Sequence, residues 1–243
     1  DLWEALEEVS AKPVSKMMSN WIGQPGFPMV TVAREGGNLR LTQERFTYLN
    51  APSDQEWLIP VSVRVFYGDG QSKETATLLD AKSAVLDIGA GAVAYKVNDG
   101  QIVFYRVRYR DKDNLKELGR QIASRSLSAV DRWGIQDDLY AMVKRGDVKI
   151  EDYLDFLFHY SEEDASLPLS SIAANLHQTF ILREGSFRQR VASVGRTLFE
   201  RVLETIGYEP GRQEKHTTSI LRDQILWQAA LYGSTKAEEF CMT

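Results

Sequence analysis

The chain of 243 residues is long enough for one large domain or two ordinary ones, at roughly 100–200 residues per domain. Hydrophobic residues make up 43% of it and charged residues 26%, a composition that excludes a disordered chain. The net charge of −5 argues against a general nucleic-acid binder, because such proteins carry an excess of basic residues.

The number of cysteines and the length of the apolar runs indicate in which cellular compartment the chain is found. Cys241 is the only cysteine, which excludes an internal disulfide framework and a thiolate metal cluster. We therefore predict a reducing, cytoplasmic environment. No apolar run approaches the roughly 18 residues of a membrane-spanning helix, so we expect no membrane segment. The sequence starts at Asp1 without a methionine, and we expect the natural N-terminus to lie upstream.

The first segment, residues 1–26, is predicted to contain two helices. Apolar residues recur at helical spacing from Leu2 to Val9. The pattern is already helical at the first residue, so we expect the sequence to begin inside a helix. Pro13 suits the first turn of the second helix. The breaker residues at 23–26 are expected to end it.

Residues 27–110 change to a period of two, the spacing of strands that bury one face. Large apolar residues alternate with others from Trp57 to Val65 and again from Val103 to Tyr109. The Asp-Gly pairs at 69–70 and 99–100 lie between apolar runs, where tight hairpins need a positive φ. Short strands without helices between them predict a small antiparallel β-sandwich.

Residues 111–243 follow helical spacing throughout. Apolar stripes cover 150–158 and 191–206, and Gly146 is expected to cap a helix at its C-terminus. The helices resemble successive antiparallel hairpins of similar length, with the last ending near Tyr232. This pattern favours an α-helical superhelix of the HEAT or armadillo type over a closed bundle. The predicted fold class is therefore multidomain β plus α.

Histidines offer no metal site or catalytic group. His159 precedes the acidic residues at 162–164, but a zincin helix needs a second histidine four residues away, which is absent. We expect His159 to end its helix as an imidazolium, which suits the negative end of the helix dipole. We expect His177 either at the surface or in the interior with hydrogen-bond partners for its ring. We expect His216 to be exposed to solvent. No serine or cysteine with base and carboxylate completes a triad.

Other motifs have ordinary structural explanations. The Gly-Ala-Gly at 89–91 lacks the third glycine and the βαβ unit of a dinucleotide site, so a turn is favoured. The acidic run at 111–114 lacks the glycine and the glutamate of a calcium loop, and is expected to cap a helix. Cys241 is expected on a helix face. Paired carboxylates at 137–138 and 162–163 do not converge on one point of a helix, which disfavours a self-standing hydrolase.

One basic cluster leaves two alternatives open. A mostly solvated helix face is the default, while a position on the concave side of a superhelix would allow contacts with peptide carboxylates. The residues concerned are Arg183, Arg188, Arg190, Arg196 and Arg201.

Four motifs in order carry a resemblance to a known family. They are Leu2-Trp3-Glu4-Ala5-Leu6 through Trp21, Gln24, Gly26 and Pro28; Phe104-Tyr105-Arg106-Val107; Asp131-Arg132 with Asp138-Leu139 and Gly146; and Gly207-Tyr208-Glu209-Pro210 with Leu221-Arg222. Together they closely resemble the gluzincin zinc aminopeptidases, the family of aminopeptidase N, puromycin-sensitive aminopeptidase and the tricorn-interacting factors. Val103 and Arg108 depart from the family pattern, where glycine and asparagine are common.

The resemblance implies the activity of a complete enzyme that uses zinc to remove N-terminal residues from peptides. In that family the His-Glu-x-x-His helix, a further glutamate and a tyrosine lie upstream of the Leu2-Trp3 motif. No position here matches them, so we assign no catalytic, cofactor-binding or metal residue, and expect this chain to be inactive alone.

The resemblance also implies a layout and partners. Residues 1–26 would be the last helices of an incomplete peptidase domain, 27–110 a β-sandwich, and 111–243 the start of an incomplete helical superhelix. The segment would support and enclose the active-site chamber. Its partners would be peptides and the missing upstream domains, without nucleic acid. The alternative is a peptide- or protein-binding scaffold without enzymatic role.

Overall fold

The computed structural model describes residues 2–49 and 51–242. Residue contacts divide the chain into two compact units, Asp1–Leu118 and Gly119–Thr243. The division into 1–26, 27–110 and 111–243 stays a prediction. Its two ends, Asp1 and Thr243, lie outside the described residues, as does the expected helical start at Asp1.

Two helices open the first unit, as predicted. They are α1, Leu2–Ser10, and α2, Val14–Ile22, and neither contains a buried residue. The indole nitrogen of Trp21 donates to the carbonyl oxygen of Leu58 at 2.9 Å. Asn20 accepts from the Leu58 amide at 2.8 Å, so α2 is fastened to the segment that precedes the third strand.

In the part of the chain that the structure describes, seven strands form two small, mostly antiparallel sheets. They are β1 Pro28–Glu35, β2 Asn38–Arg45, β3 Ile59–Tyr67, β4 Ser72–Leu79, β5 Ser83–Asp87, β6 Ala92–Val97 and β7 Arg106–Tyr109. The strand orders are β5-β2-β1-β7 and β4-β3-β6. The pair β1–β7 is parallel, with Val30 opposite Val107, and the other strand pairs among the described residues are antiparallel.

The core of the first unit is supplied by both sheets. The predicted alternation in β3 is confirmed, because Ile59, Val61 and Val63 are fully buried while Ser62 and Arg64 are half-buried. The other residues in this core include Val30, Val32, Leu39, Leu41, Trp57, Val65, Leu79, Tyr95, Val97 and Val107. This shared core is the defining feature of a β-sandwich.

One of the two predicted hairpins forms. At Asp69-Gly70 the chain turns between β3 and β4, with Gly70 at φ 81° and a 2.9 Å bond from the Tyr67 amide to Gln71. The hairpin at Asp99–Gln101 was wrong, since these residues form a 3-10 turn. This turn links β6 to β7, which belong to different sheets, and the strand predicted from Val103 begins only at Arg106.

The remaining described chain is helical. The helices are α3 Lys112–Ala123, α4 Ala129–Arg145, α5 Ile150–Phe156, α6 Ser166–Leu182, α7 Gly185–Ile206, α8 His216–Leu231 and α9 Thr235–Cys241. Because α9 follows α8, the expected last helix end near Tyr232 was wrong. Helix lengths range from 7 to 22 residues, so the expected similar lengths were also wrong. Gly146 ends α4 at φ 89°, as predicted.

The apolar stripes of these helices face the core with one exception. Val191, Leu198 and Val202 are buried along α7, and Tyr153 and Leu154 are buried along α5. Phe158, which was assigned to the stripe at 150–158, is 63% exposed. The reason is that the chain changes to a 3-10 turn at Leu157–Tyr160, which rotates Phe158 away from the buried face.

Helices α4, α6 and α8 lie side by side and point the same way. Gln136 of α4 donates to Ser171 of α6 at 2.7 Å, and one turn later Tyr140 bonds to Thr179 at 3.0 Å. The corresponding contacts between α6 and α8 are a 3.0 Å bond from Gln224 to Ser170 and a 4.8 Å ring contact of His177 with Trp227. These three helices form one layer.

Helices α5, α7 and α9 form a second layer with the same parallel order. Asp155 of α5 pairs with Arg190 of α7 at 2.6 Å. The contacts between α7 and α9 include a 2.9 Å pair of Glu204 with Lys236 and a 5.5 Å ring contact of Tyr208, just beyond α7, with Phe240. Two layers of alternating helices are the arrangement of a superhelix built from helix pairs. Among the described residues, no helix is both long and apolar enough to cross a bilayer.

Candidate functional surfaces of the helical unit

The three histidines lie on different elements. His159 belongs to the 3-10 turn at Leu157–Tyr160, His177 to α6, and His216 is the exposed first residue of α8. Across residues 2–49 and 51–242, no three or more His, Cys, Asp or Glu side chains come together in a group that could hold a metal ion. The donors present therefore do not fit the zinc of the family that the sequence resembles, and we derive no step through that metal.

His159 is enclosed by apolar and helical neighbours. Its ring lies edge to face with Phe156 at 5.3 Å. It also lies directly against Gly119 of α3, where an added Cβ would overlap the imidazole. Burial, and secondly the charge of Arg120, lower the pKa of His159. The neutral imidazole is therefore favoured, and the expected imidazolium was wrong.

The lowered pKa of His159 predicts a loss of stability in acid. The unfolded chain takes up a proton near the ordinary pKa of about 6.5, while the folded chain resists protonation until a lower pH. The contribution of His159 is therefore complete above about pH 6.5 and is lost as the pH falls towards the folded-state pKa. Urea unfolding at several pH values between neutral and mildly acidic would measure it.

The variant His159→Gln provides the comparison for this prediction. Because glutamine does not titrate, the free energy of unfolding should fall less steeply with acid in the variant than in the natural sequence. All other side chains are the same in both proteins, so their contributions cancel in the difference. Equal pH profiles would show that protonation of His159 is not resisted by the fold.

The arginine cluster predicted from sequence is divided among different partners. Arg190 pairs with Asp155, and Arg201 donates to the Glu163 carbonyl oxygen at 2.7 Å and lies 3.4 Å from Glu162. Arg196 reaches the carbonyl oxygen of Gly233 at 3.4 Å. These three arginines fasten α7 to its neighbours.

The other two arginines contact aromatic rings. The guanidinium carbon of Arg188 lies 4.1 Å from the ring centre of Phe180, and that of Arg183 lies 5.8 Å from the ring of Phe187. Both arginines are exposed. The five arginines therefore divide into three that bond to other segments of the chain and two, Arg183 and Arg188, that contact aromatic rings.

A buried ion pair was missed by sequence reasoning. Arg132 of α4 makes two bonds with Glu163, at 2.6 and 2.7 Å, and both side chains are almost fully buried. The Arg132 guanidinium also donates to the Leu127 carbonyl oxygen at 2.6 Å, and the Tyr160 hydroxyl donates to the Arg132 carbonyl oxygen at 2.6 Å. The only sequence signal was the Asp131-Arg132 motif, which does not identify Glu163 as its partner.

The two minor motifs behave structurally as expected. Gly89 and Gly91 have φ values of 78° and 84° in the connection between β5 and β6. The Asp111 carboxylate accepts from the amides of Asp113 at 2.9 Å and Asn114 at 3.2 Å, and so caps α3. Cys241, the last residue of α9, is exposed.

Comparison with known proteins gives a consistent picture. Residues 94–242 match the family described as the ERAP1-like C-terminal domain. Tricorn protease-interacting factor F2 of Thermoplasma acidophilum is 35% identical over 190 residues, which cover 78% of this chain and 22% of that protein. Aminopeptidase M1 of Arabidopsis thaliana is 28% identical over 251 residues, which cover 96% of this chain and 28% of that protein. The puromycin-sensitive aminopeptidase of Caenorhabditis elegans is 28% identical over 222 residues, which cover 88% of this chain and 23% of that protein.

The chain spans less than a third of the length of each of these relatives. The family match begins in β6 and extends through α9, and so covers more than half of the chain. The resemblance to the zinc aminopeptidases that the four motifs indicated is thereby confirmed. This chain belongs to the ERAP1-like C-terminal domain family of the zinc aminopeptidases.

Proposed function

We propose that this chain is a non-catalytic C-terminal part of a zinc-dependent aminopeptidase that removes N-terminal residues from peptides. The observation that carries the proposal is the family match over residues 94–242, together with relatives that are named aminopeptidases. Zinc is implied by that family, and its ligands would come from sequence upstream of this chain. The sandwich and the helices would support and enclose the chamber in which peptides are cleaved.

The surface of α1 and α2 supports the proposal. Leu2 is 64% exposed, Val9 89% and Ile22 71%, on two helices that bury none of their own residues. Exposed apolar faces of this kind are typical of surfaces that contact another domain. We propose that this face contacts the peptidase domain. A cytoplasmic location belongs to the same proposal and rests on Cys241 being the only cysteine.

The proposal predicts that the pure 243-residue chain is inert. After incubation with zinc and removal of free metal, it should retain no stoichiometric zinc by elemental analysis. It should also show no saturable hydrolysis of aminoacyl 4-nitroanilides, because no described residues form a metal site. Aminopeptidase M1 of Arabidopsis thaliana, assayed in parallel, is the positive control. Stoichiometric zinc or saturable turnover by the pure chain would refute the non-catalytic assignment.

A further inference from the structure

The end of α6 carries exposed aliphatic side chains next to cations. Ile181 is 59% exposed and Leu182 is 71% exposed, in the last two residues of the helix. Arg183 follows them, and Arg188 lies in the first turns of α7. We term Ile181, Leu182, Arg183 and Arg188 the α6 end patch. Isolated exposed leucines are ordinary, but an adjacent aliphatic pair among cations is a distinct surface feature.

Each cation of the α6 end patch lies over an aromatic ring. Arg188 covers Phe180 at 4.1 Å and Arg183 covers Phe187 at 5.8 Å. Contact with a ring restricts a long side chain before any ligand arrives. A guanidinium that lies flat on a ring keeps its N–H edge for a carboxylate.

The α6 end patch carries a local excess of positive charge. Of residues 181–188, two are arginines and only Glu184 is acidic, in a chain whose net charge is −5. Among the described residues, neither Arg183 nor Arg188 forms an ion pair, whereas the neighbouring Arg190 pairs with Asp155 at 2.6 Å. An unpaired cation held in place beside exposed aliphatic groups complements a ligand that is both anionic and apolar.

We propose that the α6 end patch binds an acidic segment of a partner protein. Carboxylates of the segment pair with Arg183 and Arg188, and a large apolar side chain of the segment covers Ile181 and Leu182. The planar fork of arginine favours a carboxylate because it donates two parallel hydrogen bonds to it. An extended anionic membrane surface is disfavoured, because it would face the chain as a whole, whose net charge is −5, whereas a short segment contacts only the patch.

Fluorescence anisotropy with a synthetic peptide tests this proposal. The probe is a fluorescein-labelled 14-residue peptide in which pairs of glutamate alternate with leucine. We expect saturable binding to the full chain that weakens with salt, and binding at least about tenfold weaker when glutamine replaces every glutamate. The double variant Arg183→Gln/Arg188→Gln should weaken binding of the acidic peptide by about tenfold.

The matched control removes the same charge elsewhere. Arg212→Gln/Lys215→Gln changes two exposed cations between α7 and α8 and should leave the affinity unchanged. Arg183→Lys/Arg188→Lys keeps the charge but loses the planar fork, so it should restore part of the binding, which guards against an effect of misfolding. The proposal is overturned if both glutamine variants bind equally. It is also overturned if the chain does not bind the acidic peptide. Binding to vesicles of phosphatidylserine and phosphatidylcholine without binding to the peptide would count as this second outcome.

Discussion

Replacing Glu163 by glutamine should lower the free energy of unfolding by about 3–5 kcal/mol. The Arg132 side chain is 8% exposed and that of Glu163 only 2%, so the ion pair is shielded from water. One Glu163 oxygen also accepts from the amides of Asp164 at 3.1 Å and Ala165 at 2.9 Å. The glutamine variant leaves a buried guanidinium without its carboxylate. The variant is destabilised because water cannot solvate this unpaired charge.

The adjacent residue offers a matched control for this prediction. Glu162 is 68% exposed and lies 3.4 Å from Arg201, so Glu162→Gln should cost less than about 1 kcal/mol. Urea unfolding followed by circular dichroism would compare the two variants. Replacing both buried partners, as Arg132→Met/Glu163→Leu, should recover much of the loss because no unpaired charge remains. Similar costs for Glu162→Gln and Glu163→Gln would contradict the assigned burial.

Replacing Trp57 by alanine should destabilise the sandwich by about 3–5 kcal/mol. Trp57 is fully buried between the two sheets, two residues before the start of β3. The Gln43 amide fixes its backbone, accepting from the Trp57 N–H at 2.7 Å and donating to the Trp57 carbonyl oxygen at 2.9 Å. Because the backbone is held on both sides, it cannot move to close the cavity that the smaller side chain leaves.

An exposed aromatic residue of the same unit provides the control. Phe104 is 72% exposed, and Phe104→Ala should cost less than about 1 kcal/mol. The conservative variant Trp57→Phe should fall between the natural sequence and Trp57→Ala, since it fills part of the space. Thermal and urea unfolding of the three variants would measure the order. A Trp57→Ala variant as stable as Phe104→Ala would show that Trp57 is not a core residue.

The sequence predicted features that depend on neighbours along the chain. The alternation in β3 and the C-cap at Gly146 follow from a period of two residues and from one backbone conformation. The turn at Asp99–Gln101 was misjudged because the same dipeptide suits a hairpin and a crossing between sheets. Which of these forms depends on the strand that the next segment joins, and that partner lies far away in sequence.

The candidate surfaces were predictable only in part for the same reason. Arg132 and Glu163 are separated by 31 residues and meet only because α4 and the segment before α6 come together. His159 contacts Gly119, and a glycine within a helix indicates close packing without naming the partner. The sequence showed that arginines are frequent from 183 to 201, but it did not show that they have different partners. Their division into paired and unpaired groups depends on carboxylates supplied by α5 and the segment that follows it.

The central claim is most directly tested on the natural polypeptide that contains this sequence. An antibody raised against the chain would isolate it from its source for intact-mass, zinc and aminoacyl-hydrolysis measurements. We predict a polypeptide well above the 27.5 kDa of this chain, with bound zinc and saturable release of N-terminal residues from peptides. A natural polypeptide of 27.5 kDa without hydrolysis would contradict the aminopeptidase assignment and favour a binding scaffold.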